Sequence, residues 1–198
     1  LSTGISILAF NLVIGSLAGN YAIAAYGVIA NAALVVLAFF NGVALGIQPL
    51  IAREFGQRNW SNIKTVFTEG IISSLLIAFL SYLCLLFFKY PIISLFNSSR
   101  QAQLAVYAAQ GIPLYFISIF FTGCNICIMM FLIAINQPKY SFFLSLNRGY
   151  VILLPMIFLL GYFVKLTGVW LSLPVTELIV FLLGSYFAHN FLKNPPLN

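Results

Sequence analysis

A helix needs about 20 apolar residues to cross the hydrocarbon core of a bilayer. Six stretches of this chain meet or approach that length, at about 1–18, 23–52, 66–88, 104–135, 142–164 and 169–191. Each is continuously apolar, which excludes the period-two alternation of a membrane β-barrel strand. The chain has 198 residues, 62% hydrophobic and only 6% charged. A soluble domain carries about a quarter charged residues, so no soluble surface can be assembled here. The sequence predicts an all-α polytopic membrane protein with six transmembrane helices as a single unit, 1–193, followed by a polar tail, 194–198. Its partners include membrane lipid. The net charge of +6 belongs in loops on one side of a bilayer and is no sign of nucleic acid.

The breaks between blocks are short and polar. Gly19-Asn20-Tyr21 is a tight turn, and 53–64 is the longest basic loop. The segment from Lys89 to Arg100 holds Pro91 and the polar run Asn97-Ser-Ser-Arg100. Asn136-Gln-Pro-Lys139 contains a proline that cannot continue the preceding helix. Lys165-Leu-Thr-Gly168 makes the last connection. One side of the membrane then holds Arg53, Arg58, Lys64, Lys139, Arg148 and Lys193, six cations, against Lys89, Arg100 and Lys165 on the other. Cytoplasmic loops carry the excess of Lys and Arg, so both termini are expected in the cytoplasm. The chain opens apolar at Leu1 with no basic segment before it. That argues against a signal peptide and for a piece of a longer protein.

Polar groups inside these blocks are the candidate functional residues, because polar side chains within a membrane face a partner or a cavity. There are three acids. Glu54 sits in the basic loop beside Arg53, and Glu69 lies close enough to a helix start to reach the interface or to pair with Lys64. Glu177 lies about 12 Å into the sixth block at 1.5 Å per residue. Two readings apply to it: a proton or cation site, or a structural hydrogen bond satisfied by Thr176 or a neighbouring helix. Asn11, Asn31, Asn41, Gln48 and Asn125 are amides within blocks, and Asn41 and Gln48 share a helix face. The cavity candidates are Asn11, Asn41, Gln48 and Asn125, with Glu177 as the ion-coupling candidate. Pro49, Pro113, Pro155 and Pro174 are fixed bends or hinges.

Cys124 and Cys127 form a CxxC pair, but with no second pair and no nearby His. Packing is the expected role, and no metal site is predicted. His189 falls near the end of the last block and suits an interfacial position. No nucleophile, base and acid set is visible, and no phosphate loop. The chain is not expected to be an enzyme.

Four segments, in order, resemble the multidrug and toxic compound extrusion (MATE) family. They are Ala24-Ala-Tyr-Gly-Val-Ile-Ala-Asn31, Gly46-Ile-Gln-Pro49 with Phe55-Gly-Gln-Arg-Asn59, the turn Asn136-Gln-Pro-Lys139, and Gly168-Val-Trp-Leu-Ser-Leu-Pro-Val-Thr-Glu177. The resemblance covers essentially the whole chain as the C-terminal six-helix lobe of a twelve-helix, two-lobe transporter. It implies efflux of small organic compounds, cationic or amphiphilic, by antiport against a proton or sodium ion, with no other cofactor. It also implies a missing N-terminal lobe and a bacterial plasma membrane. One branch of the family carries carboxylates in the first and fourth helices of this lobe. The corresponding blocks here contain no Asp or Glu, so the chain looks closer to the DinF-like, proton-coupled branch.

Two rival functions are a lipid-linked oligosaccharide flippase of the same superfamily and a non-transporting membrane assembly subunit. A flippase calls for a basic cavity, whereas the cations here fall in loops or near helix ends.

Overall fold

A computed structural model describes residues 2–97 and 101–194, with side chains from residue 4 onward. Leu1, the stretch 98–100 with the loop cation Arg100, and the tail from 195 lie outside the described residues. The described chain is helical almost throughout. The helices are α1 (Ser2–Gly56), α2 (Trp60–Phe87), α3 (Lys89–Phe96), α4 (Ala102–Tyr115), α5 (Ile119–Ala134), α6 (Pro138–Leu146) and α7 (Leu153–Lys193). A 3-10 turn, Phe116–Ser118, joins α4 to α5, and a π-helical turn, Asn147–Val151, joins α6 toward α7.

Two of these helices reverse direction. In α1 the backbone leaves helical values at Gly19, where φ is 72°. Such a conformation suits a residue without a Cβ. A Cβ placed on Gly15 would lie 2.9 Å from Ile23, a contact between residues eight apart that a straight helix forbids. In α7 the break is at Lys165, φ 58°, and Gly168 lies against the carbonyl of Leu160 so closely that a Cβ there would overlap it. The apolar helical stretches Gly4–Gly56, Trp60–Phe87, Ala102–Ala134 and Pro138–Lys193 therefore supply six crossings. Four prolines were candidate bends. Pro49, Pro113 and Pro174 lie inside helices, and the non-helical backbone within α1 and α7 falls instead at Gly19 and Lys165.

The loop after Gly56 is built from two caps. The Asn59 amide donates to the Glu54 carbonyl at 2.9 Å and the Arg58 amide to Phe55 at 3.0 Å, with Arg58 left-handed at φ 58°. This is a Schellman-type C-cap. Asn59 then accepts from the Asn62 amide at 3.3 Å and caps α2. The end of α5 repeats the device, with Gln137 donating to Leu132 at 2.8 Å and Asn136 at φ 60°. The segment expected as a loop after Lys89 contains α3 instead, closed at its end by Asn97, which exchanges hydrogen bonds with the backbone of Gln101.

The Ala102–Ala134 crossing is the centre of the lobe: 67% of its most apolar window is buried, against 33% or less in the other three stretches. Small residues admit its neighbours. Gly111 lies against Ile29 and Trp170, and Gly123 against Phe40 and Ser74. Two apolar clusters fill the interior, one around Phe10, Phe40, Phe116 and Trp170, the other around Ile51, Phe67, Phe131 and Leu132. The CxxC pair packs in this interior. Cys127 meets Ser74 at 3.1 Å and donates to the Gly70 carbonyl at 3.7 Å, which ties α5 to α2.

Candidate functional site

Each crossing carries few polar groups, so the points where they meet identify the site. Glu177, on the second half of α7, is 1% exposed. Its Oε1 accepts from Arg148 Nε at 2.6 Å. Its Oε2 accepts from Asn125 Nδ2 at 2.7 Å, and the same nitrogen donates to the Glu177 carbonyl at 2.9 Å. Three helical segments thus converge on one carboxylate. Asn125 is also 1% exposed, and its Oδ1 has no hydrogen-bond partner among the described residues. Thr176, the alternative partner expected for Glu177, donates to the Ser172 carbonyl instead.

Arg148 is the residue that the sequence reading misplaced. Counted with the loop cations, it lies about 15 Å beyond Pro138, where α6 begins. It sits in the π-helical turn, and its side chain is only 23% exposed. There the Ile152 amide reaches back to the Asn147 carbonyl at 3.0 Å, the wide hydrogen bond of a π-turn, a device common at functional sites. Ser6 from the first crossing donates to the Gly149 carbonyl at 3.3 Å and ties this turn to α1. A lone Arg beside Asn147 and Gly149 in one apolar block, with a lone Glu in the next, was the available signal. Removing Arg148 from the loop count leaves five cations against three.

The Arg148–Glu177 pair borders a cavity of about 370 Å³. Its polar lining includes Ser6, Asn41, Ser118, Thr122 and Ser145, and its apolar lining includes Phe10, Tyr26, Leu37, Met129 and Met130. Phe10 and Tyr26 stack with centroids 4.8 Å apart, and Tyr115 meets both edge-on.

The other candidates distribute unevenly. Asn41 lines the cavity, and Asn125 stands behind it, holding Glu177. Asn11 and Gln48 are partly buried and outside the cavity lining. Gln48 shares the Asn41 face but sits about 10 Å further along the axis. Asn11 is turned about 100° from its cavity-lining neighbour Phe10. Asn31 is exposed and bonds its own helix at the Gly27 carbonyl, 2.8 Å. Among the described residues the second ion pair is Arg53–Glu54, at 3.9 Å, with Asn62 also donating to Glu54 at 3.0 Å. Glu69 is exposed and forms no ion pair with Lys64. His189 is exposed near the end of α7.

Known proteins share both the sequence pattern and this fold. The chain is 28% identical over 179 residues to an FAD transporter of Shewanella oneidensis, covering 87% of this chain and 38% of that protein. It is 28% identical over 191 residues to the multidrug export protein MepA of Staphylococcus haemolyticus, covering 96% and 41%. Among solved structures, an outward-facing multidrug resistance MATE family transporter of the MOP superfamily superimposes with a TM-score of 0.90 at 15% identity. It covers 97% of this chain and 43% of that one. A MOP superfamily transporter from Pyrococcus furiosus, described as having a binding pocket of reversed polarity that suggests a different function, matches with a TM-score of 0.89 at 16% identity. That match covers 98% of this chain and 44% of that one. The chain therefore spans less than half the length of these relatives, which are transporters and not enzymes. With residues 3–159 matching the MatE family model, the fold is that of a six-helix transporter lobe, and the chain belongs to the MatE family.

Proposed function

We propose that this chain is the C-terminal lobe of a secondary active efflux transporter that exports small organic compounds by cation antiport. The remainder of the protein supplies the opposite wall of the cavity. Transport proceeds by alternating access, with ion binding shifting the balance between inward- and outward-open forms. The observation that carries this reading is the Asn125–Glu177–Arg148 network at the wall of a largely apolar cavity. A carboxylate and a guanidinium inside a membrane are costly and mark pathways for ions or substrates. The names of the two relatives, a multidrug export protein and an FAD transporter, support an organic substrate.

The coupling ion in this proposal is a proton, as in the DinF-like branch, with sodium as the alternative. The first crossing and the Ala102–Ala134 crossing contain no Asp or Glu, so this lobe offers no carboxylate there for a sodium ion. Five cations against three support both termini in the cytoplasm, and the bacterial relatives support a bacterial plasma membrane. A flippase reading gains one interior cation from Arg148, but Glu177 neutralises it, and the cavity is not basic.

The test is efflux of ethidium by the full-length protein, with the proton and sodium gradients collapsed separately. Collapse of the proton gradient is expected to abolish efflux, and collapse of the sodium gradient to leave it unchanged. Efflux that survives both contradicts antiport.

A further inference from the structure

Arg148 has five N–H donors, and Glu177 occupies one of them, through Nε. The terminal nitrogens of the guanidinium make no hydrogen bond to any described residue, although the side chain is largely buried and lines the cavity. These nitrogens are accessible from the cavity rather than sealed in the interior, so the edge is open to an acceptor. A planar fork of N–H groups matches a carboxylate or a phosphate in bidentate fashion.

We propose that the free edge of Arg148 is an anion subsite, which takes the carboxylate or phosphate of a compound whose apolar body lies along Phe10, Leu37 and Met130. This rests on the reading that the cavity is the transport site, and it adds amphiphilic acids and zwitterions to the substrate class. Glu177 gives the subsite its selectivity. Its carboxylate faces the guanidinium at 2.6 Å, so the unoccupied pair carries no net charge. A bare inorganic anion therefore meets little attraction, and an acid tied to an apolar body gains from both the fork and the cavity wall. Asn125, bonded to the other carboxylate oxygen, keeps Glu177 on the Nε side and the fork open.

The test compares two fluorescent probes with the same ring system, anthracene carboxylate and anthracenemethanol. They bind the full-length protein in lipid nanodiscs, with empty nanodiscs as the blank. The acid is expected to bind about tenfold or more tightly than the alcohol, the worth of one charge-assisted bidentate pair. Millimolar inorganic phosphate is expected not to displace it. Arg148→Gln is expected to remove the preference, and Arg148→Lys to keep part of it. Equal affinities in the wild type, or a preference that persists in Arg148→Gln, overturn the proposal, and the wild-type comparison needs no variant to fold. Ethidium efflux measured on the same protein separates the two readings. Efflux without an acid preference overturns the subsite alone, and an acid preference without efflux overturns the transport reading instead.

Discussion

One amide nitrogen of Asn125 holds both the side-chain carboxylate and the backbone carbonyl of Glu177, at 2.7 and 2.9 Å. This orients the carboxylate and leaves its second oxygen for Arg148. The network joins α5, the π-helical turn and α7, so it acts on the packing of the lobe as well as on its chemistry. Breaking a buried ion pair by removing one partner costs about 3–5 kcal/mol, because the remaining charge is stranded. Glu177→Gln is expected to destabilise the lobe by about 3 kcal/mol, and Arg148→Gln by a similar amount. Arg148→Gln/Glu177→Gln, with no charge left to strand, is expected to lose less than the sum, by at least about 1 kcal/mol. A double-mutant cycle from denaturant unfolding of the full-length protein in detergent measures this. Strict additivity would contradict the pairing.

Asn125 donates where Asp can only accept. Asn125→Ala leaves one oxygen of Glu177 unpaired and is expected to cost about 1–3 kcal/mol. Asn125→Asp sets a second carboxylate against the first and is expected to cost more than alanine does. Thermal unfolding of the two variants supplies the order, and an aspartate variant as stable as wild type would contradict the donor role.

Much of the helical architecture was legible because each crossing is a continuous apolar run, and because Gly19 and Lys165 fall within polar breaks between runs. Helix α3 was not, since eight residues between Lys89 and Phe96 are too few to display a period. Glu177 and Asn125 stood out as polar groups in apolar runs. Their contact joins residues 52 apart, which no local pattern encodes. Arg148 was misread for a related reason. A cation near a block edge looks like a loop residue until the π-helical turn and Glu177, 29 residues on, place it inside.

The close approach of α4 to its neighbours predicts a steric effect at Gly111. A Cβ there would lie 2.6 Å from Ile29 and 3.0 Å from Trp170. The indole belongs to the packed interior and has little room to move, so Gly111→Ala is expected to cost about 1–3 kcal/mol through overpacking. Gly27→Ala meets nothing within 4 Å and is expected to be neutral or to gain up to about 1 kcal/mol from helix propensity. Melting temperatures of the two variants decide the matter. Equal and unchanged values would contradict the packing described for α4.

The central claim is that the Arg148–Glu177 pair belongs to the transport cavity and takes part in transport. The most direct measurement is proton-gradient-driven ethidium efflux from membrane vesicles containing the full-length protein, wild type against Arg148→Gln/Glu177→Gln. The double variant keeps the neutrality of the pair and the shape of the side chain at 177, so the account predicts normal insertion with efflux reduced about tenfold or more, a loss of roughly 1.4 kcal/mol or more in transition-state stabilisation. Efflux at the wild-type rate from a normally inserted double variant would contradict it.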